Sequence, residues 1–499
     1  VVALDIFGNT DKIISETKQI PRTNMFSYTY PDFPFINHHW LSEVIFYQVQ
    51  KQMGDDALLV MRNMAMYIAL AVCMYTAYKQ GAKKEWIAYT ILVVALAYAD
   101  RTLIRPELFG FVLFSLLVWF LIRLPKSWYW YVSIPVILVL WINLHLTFVF
   151  GVMTALLIVF KTKFDIRGKI VFFGLGALLC NPWGIQGVLY PLSLFGNYGY
   201  EIAENQSILF MLRYAPSVFF WYLFILILGG FIFAGIAAMQ KKLPEALLLA
   251  ALSAATFLQI RHLTFLLLVV VAVIPPLLSH YRTYALAMMG SAMVAIVAVI
   301  AIVSGSFYST LLINGDFGWG FISPYEGVMK MAHKILLPGR IFNNFDNAGY
   351  VIYGLYPKKK VFVDNRPEAY PASFFNDVYI PLQVDTEVRK KIFNQYDIRT
   401  VIFAHTDQTE WAALFVNSIT HDAEWKLIYM DEASMLLVKD PVAEDIRNTA
   451  DWYKEIVTKT TGEFNLAKLK EFFSYTDNQA GAQYTQMVFD ELYLHKQLR

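Results

Sequence analysis

Ionisable side chains recur in this sequence at the ends of long apolar runs. The first group is Asp5, Asp11, His38, His39 and Glu43. The second is the knot Asp100-Arg101-Thr102-Leu103-Ile104-Arg105-Pro106-Glu107. Asn143 with His145, Asn181 with Pro182, Glu201 with Glu204, and Gln259-Ile260-Arg261-His262 complete the set. Ionisable groups at membrane depth are costly and usually face a cavity or pathway. Arginine holds a phosphate through two parallel N–H bonds, and a carboxylate takes a proton from an incoming nucleophile. Together these groups suit a lipid that carries a phosphate. Each also has a plainer reading. Asp100/Arg101 and Arg105/Glu107 can be ion pairs that hold helix ends, and His145 and His262 can be satisfied by backbone carbonyls. His39 and Glu43 share a helix face if a helix starts near Trp40. A zinc set needs a further ligand that the sequence does not offer, so no metal site is assigned.

These groups must be positioned by membrane helices. The chain has 499 residues, 57% hydrophobic and 16% charged, with a mean hydropathy of +0.45. A soluble domain carries about 25% charged residues. Roughly ten apolar blocks, each near the length that spans a bilayer, run at 56–78, 85–99, 107–122, 128–142, 146–160, 169–180, 216–239, 244–258, 263–279 and 284–305. Net charge is +2, which gives no electrostatic case for nucleic acid. The two cysteines, Cys73 and Cys180, lie far apart inside apolar blocks and read as packing residues.

Lysine and arginine between spans set orientation, since cytoplasmic loops are rich in them. Alternate junctions carry Lys79, Lys83, Lys84, Arg123, Lys126, Lys161, Lys163, Arg167, Lys169, Lys241, Lys242 and Arg282. The opposite junctions carry only Arg101, Arg105, Arg213 and Arg261. This predicts a multi-pass protein of the cytoplasmic membrane with both flanking regions, and the whole polar set, on the outer side.

Four regions follow. Residues 1–55 read as a first extracytoplasmic loop, in which Trp40–Val49 form an amphipathic helix at the interface. Val1–Leu4 look like the end of an apolar segment, so a helix or signal segment is expected ahead of them. Residues 56–305 form the transmembrane bundle. Residues 306–440 read as a small α/β domain outside the membrane. Its predicted strands are 340–345, 350–356, 361–364, 400–404, 426–430 and 435–439, with helices over 325–336 and 384–395. Asp364-Asn365-Arg366-Pro367-Glu368 closes a strand, where α/β sheets place ligands, or is simply a capping turn. Residues 441–499 are a helical C-terminal arm, anchored by Trp452, Tyr453, Phe472 and Phe473, through which a protein partner could dock.

A resemblance rests on motifs in order: Ile20–Ser27, Asn37-His38-His39-Trp40-Leu41-Ser42-Glu43, Arg105-Pro106-Glu107-Leu108-Phe109, Trp141-Ile142-Asn143-Leu144-His145, Asn181-Pro182-Trp183-Gly184, Gly339–Phe345 and Val361–Arg366. The chain resembles the GT-C glycosyltransferase superfamily, and within it a bacterial branch of multi-pass proteins with an extracytoplasmic C-terminal domain. The resemblance implies a polyprenyl-phosphate sugar as donor, a membrane lipid environment and a general base in the first loop. Asp5 occupies that position, with Asp100 as its partner. After Asp5 the branch pattern leads one to expect an aromatic-histidine element, but this chain reads Ile6-Phe7-Gly8-Asn9-Thr10, so Asp11 and Glu43 remain open as the base. The resemblance admits a divalent cation and requires no other cofactor. Substrate contacts are expected from Arg101, Arg105, His38, His39, His145, Arg261 and His262.

Three function classes compete. A glycosyltransferase acting at the outer face needs an accessible cluster. A non-catalytic scaffold subunit of a larger complex predicts that the cluster neutralises itself in pairs and leaves no cavity. A transporter or flippase predicts inverted hydropathy repeats, which the sequence lacks.

Overall fold

The computed structural model describes residues 13–14, 16–99, 103–193, 199–214, 216–281, 296, 299–300, 320, 324–460 and 462–494. The chain divides into two compact units. Among the described residues, one holds 36–193 and 201–281, and the other holds 13–35, 199–200 and 324–494.

The first unit is a helical bundle. Three helical segments, Asp55–Lys79, Val218–Met239 and Ile260–Leu278, are long and apolar enough to cross a bilayer. Trp128–Leu144, Phe148–Lys161 and Leu243–Leu258 are shorter apolar helices. Helix also covers Lys84–Ala99 and Glu107–Arg123. The expected span at 169–180 is broken: an α-helix over Ile166–Gly174 tightens into a 3-10 turn over Leu175–Leu179. The expected span at 284–305 lies almost wholly outside the described residues. Leu263–Leu278 is the central helix, buried along nearly its whole length. An all-round apolar helix of this kind belongs inside a bundle. Phe265 on it meets Phe111, Phe114, Trp141 and Phe150 at ring distances between 4.9 and 6.2 Å.

Close packing in the bundle uses glycine where bulk would collide. A Cβ on Gly151 would lie 2.7 Å from the Trp141 ring, and one on Gly110 would lie 2.9 Å from Trp141 Nε1. Cys73 is buried, as a packing cysteine should be, but Cys180 is exposed. Its peptide oxygen accepts from Asn143 Nδ2 at 2.9 Å.

The second unit is built on a four-stranded mixed sheet in the order β1-β2-β4-β3. Its strands are β1 (Arg340–Asn343), β2 (Ile398–Phe403), β3 (Lys426–Met430) and β4 (Met435–Val438). β1 and β2 are parallel, and the β3–β4 hairpin continues the sheet antiparallel. Residues 350–356 were expected as a strand, but they fall in a helix over Ala348–Leu355. The strand preference of its β-branched and aromatic residues is set by packing context and can be overridden by it. Here Val351, Ile352 and Leu355 are used at helical spacing against Ile341 and Ile402. Val361–Asp364 likewise forms no strand. Val361 makes a single parallel bridge to Ser27.

That bridge marks a division the sequence reading did not anticipate. Residues 13–35 go with the sheet unit, while the helix Trp40–Met53 goes with the bundle. The cause is a set of buried contacts. Phe26 is fully buried among residues of this unit. Val361 N–H donates to Phe26 O, and Tyr28 N–H to Val361 O. Asn24 Nδ2 donates to Ala369 O at 3.0 Å.

The Asp364–Arg366 motif is part of this clip. Arg366 Nη2 lies 2.6 Å from Asp364 Oδ2 and 3.1 Å from Asn24 Oδ1. Its guanidinium sits over the rings of Phe35 and Phe26, at 4.6 and 5.2 Å. The pair is buried and fully committed. Phe472 and Phe473 anchor the C-terminal helices into the same core, with Trp452 and Tyr453 packed on Phe473.

Candidate functional site in the helical bundle

Asn37-His38-His39 turns the chain into the helix Trp40–Met53, and that turn places the first polar groups. Trp40 Nε1 donates to Asn143 Oδ1 at 3.0 Å, and Ser42 Oγ to Leu144 O at 2.7 Å. These two bonds tie the helix to the end of Ser133–Leu144. Glu43 is 2% exposed. It accepts from Asn37 Nδ2 at 2.6 Å, and His39 Nε2 lies 3.3 Å away. The shared helix face expected for His39 and Glu43 is therefore present.

His38 is the turn's central side chain. Its ring lies 4.5 Å from that of His39, 5.3 Å from Tyr190 and 6.1 Å from His145. His145 begins the short link into Phe148–Lys161, and its Nδ1 shares a hydrogen bond with Thr147 Oγ1 at 2.9 Å. Trp141 Nε1 donates to the same hydroxyl at 3.2 Å. Gly110 and Gly151 thus leave room for a tryptophan that fixes Thr147, which in turn orients His145. Burial pulls the His38 imidazole down to about 4, and the charge of Arg261 pushes the same way. Burial also holds His145 well below the usual histidine range, with His38, Arg261, Arg105 and His262 adding to it. Both rings are neutral at pH 7.

The cations at this level are already partnered. Arg105 forms an ion pair with Glu204, not with its neighbour in sequence, Glu107, which is buried. Arg261 Nη1 donates to Asn205 Oδ1 at 2.8 Å. His262 shares a hydrogen bond with Gln259 at 3.1 Å, and its ring stands edge-on to Phe150 at 5.0 Å. The short turn Ala203–Asn205 therefore supplies acceptors for both arginines.

A narrow cavity of about 10 Å³ lies beside His38, lined by Ile36, Trp40, Phe148, Asn181, Trp183 and Tyr190 among others. That is room for about one water. Asn181 shapes its wall, donating to Leu178 O and Gly184 O at 2.8 Å each. No group of three or more histidine, cysteine or acidic side chains that could hold a metal occurs among the described residues.

Of the expected site residues, the structure gathers His38, His39 and Glu43 with His145, and places Arg105 and Arg261 on one acidic-amide turn. Asp5, Asp11, Asp100 and Arg101 lie outside the described residues. Glu204, Asn205, Asn37, Tyr190 and Thr147 were not expected as site residues. Glu204 and Asn37 carried a signal, one as an acid within the polar set read from the sequence and the other beside the two histidines. Tyr190 and Thr147 carried none.

No model of a protein family and no well-characterised protein matches the chain by sequence. By structure it superposes on the oligosaccharyltransferase of Archaeoglobus fulgidus in its apo form. The TM-score is 0.50 at 8% identity, over 89% of this chain and 71% of that one. It also superposes on the archaeal oligosaccharyltransferase AglB from the same organism, in complex with an inhibitory peptide and a dolichol-phosphate. There the TM-score is 0.51 at 8% identity, over 99% and 81% of the two chains. The fold is similar to that of these archaeal oligosaccharyltransferases. At this identity the likeness concerns the fold alone. Side-chain roles have to be argued from this chain's own geometry.

Proposed function

We propose that the protein is a membrane glycosyltransferase that moves a sugar from a polyprenyl-phosphate donor to an acceptor at the outer face of the membrane. The observation that supports this most is the meeting of Arg105 and Arg261 on the turn 203–205, close enough for their charges to act on His145. A phosphate replacing the Glu204 carboxylate would find an arginine fork on a partly exposed ion pair. Neutral His38 and His145 can pass or accept hydrogen bonds without adding charge. Asp5 is the proposed base, with Asp100 as its partner. Glu43 suits that role less, because it is buried between Asn37 and His39. A dolichol-phosphate is bound in the archaeal fold neighbour, which is the lipid class proposed here. The sheet unit and its C-terminal helices would then lie outside the membrane, where acceptor and partner proteins are met.

A second reading has its own support. His39 with Glu43 and Arg105 with Glu204 neutralise one another, and the cavity beside His38 is small. Both features suit a scaffold subunit. The two readings part on turnover. Purified protein in nanodiscs, given a polyprenyl-phosphate hexose and a cell-envelope extract as the source of acceptor, should transfer the hexose to the extract and release polyprenyl phosphate. Asp5→Asn should lower that rate roughly 10²-fold or more with the amount of folded protein unchanged. Equal rates with and without the protein would favour the scaffold.

A further inference from the structure

β1 and β2 are adjacent and parallel, yet their following helices leave on opposite faces of the sheet. Ala348–Leu355 packs with Ile341 and Ile402, whereas Glu410–Thr420 packs with Phe342, Val401 and Phe403. Where chain direction reverses in this way, a crevice opens outside the carboxyl ends of the strands, and ligands favour that position. Here the crevice is bounded by the turn Asn344–Asn347 after β1 and by Ala404–Thr409 after β2.

The side chains around it are oxygen-rich. Asn344 bridges the two loops: its Nδ2 donates to Asp407 Oδ2 at 3.0 Å, and its Oδ1 accepts from Ala404 N–H at 3.0 Å. Asp407 Oδ1 accepts from Thr409 N–H and Oγ1. Asn347 is 1% exposed and reaches across to β2, donating Nδ2 to Ile402 O at 2.9 Å. Its Oδ1, on the same amide and so in the same gap, has no hydrogen-bond partner. Asn365 donates Nδ2 to Asp346 O at 3.4 Å, and its Oδ1 is also buried without a partner. Asp346 itself is exposed at the rim.

A buried carbonyl oxygen left unpaired is costly. Asn347 follows Asp346 in the chain, Asn365 reaches the Asp346 peptide oxygen, and the charges of Asp346 and Asp407 act on each other, so a positive occupant would relieve both the unpaired acceptors and the like charges. Both amide oxygens are sealed from solvent, so that occupant must be smaller than a sugar or a side chain. We infer that this crevice binds a divalent metal ion of the hard, oxygen-preferring kind, with Asp346, Asn347 and Asn365 supplying oxygen ligands and Asp407 a second negative charge. Calcium and magnesium take carboxylate and amide oxygens, and calcium tolerates irregular geometry. The Asp364–Arg366 pair lies outside the ligand set because each partner is already consumed by the other.

The test uses the intact chain, purified in detergent and stripped with EDTA. Titration with Ca²⁺, Mg²⁺ and Mn²⁺ is followed by calorimetry, with thermal unfolding measured in parallel. At least one ion should bind saturably, with Kd on the order of 10⁻⁴ M, and should raise Tm. Asp346→Asn and Asn365→Ala should each remove one equivalent of bound ion, or weaken it at least tenfold. Glu410→Gln, a nearby acid outside the set, should change nothing. No binding to the wild type, or unchanged stoichiometry and Kd in Asp346→Asn, overturns the assignment. The apo Tm of each variant separates lost binding from lost folding.

Discussion

Arg105 is paired with Glu204, a residue 99 positions away, and not with Glu107 two positions on. The pair joins the start of Glu107–Arg123 to the turn 203–205. Both side chains are about one-third exposed, so the bond itself contributes little to stability, about 0.2–1 kcal/mol. Its consequence is for binding. If Glu204 occupies the arginine that a lipid phosphate needs, Glu204→Gln should tighten polyprenyl-phosphate binding several-fold while Tm moves by only a degree or two. Weaker binding in Glu204→Gln would instead make the carboxylate an orienting group.

His38 gives a pH prediction. Its imidazole titrates near 4 in the fold because burial and then Arg261 disfavour the charged form, against about 6.5 in an unfolded chain. The unfolded state therefore binds the extra proton first as pH falls. The stability contributed by the neutral ring is complete above pH 6.5 and is lost between about 6.5 and 4. The full loss is on the order of 3 kcal/mol. Urea unfolding in mixed micelles at pH 7, 6 and 5 should show the decline, and His38→Gln should reduce its slope, leaving the part that comes from His145. A slope unchanged in His38→Gln assigns the titration to other groups.

The glycines under Trp141 position His145 indirectly. Gly151→Ala puts a methyl 2.7 Å from the indole, which a packed core accommodates at a cost of about 1–3 kcal/mol. The displaced Trp141 would release Thr147, so transfer activity should fall by more than the loss of folded protein explains. Gly235→Ala, where no atom lies within 4 Å of the added carbon, is the control and should leave both unchanged.

How far the sequence foretold this arrangement depends on the length scale of each signal. Helix over the expected spans from 56–78 to 263–279, the broken one at 169–180 excepted, follows from sustained apolar runs. The closeness of His39 and Glu43 was legible because a single helical turn sets it. The partner of Arg105 was not, since local spacing favoured Glu107 and only tertiary packing brings in Glu204. The helix Ala348–Leu355 shows the same limit, as its composition favours a strand while its packing against Ile341 and Ile402 uses it at helical spacing. The placement of residues 20–35 in the sheet unit depended on Asn24, Phe26 and Tyr28 finding partners more than 300 positions away.

Arg366 tests that placement. Removing it leaves Asp364, 0% exposed, without its counter-charge, and breaking a buried pair costs about 3–5 kcal/mol. Arg366→Ala should lower the unfolding temperature of the sheet unit and make the segment around Asn24 sensitive to protease. Asn24→Ala should do so more mildly. A variant Arg366→Ala with native stability and protease resistance would remove the clip as a structural element.

The most direct test of the account is equilibrium binding of a polyprenyl phosphate to the intact protein in nanodiscs, compared between wild type and Arg105→Ala. A bidentate arginine–phosphate contact is a charge-assisted bond contributing about 1.5–3 kcal/mol. The account predicts saturable wild-type binding and a Kd at least tenfold weaker in Arg105→Ala, with Arg105→Lys between the two. Wild-type binding no tighter than that of Arg105→Ala would contradict the phosphate role and leave Arg105 as the structural partner of Glu204.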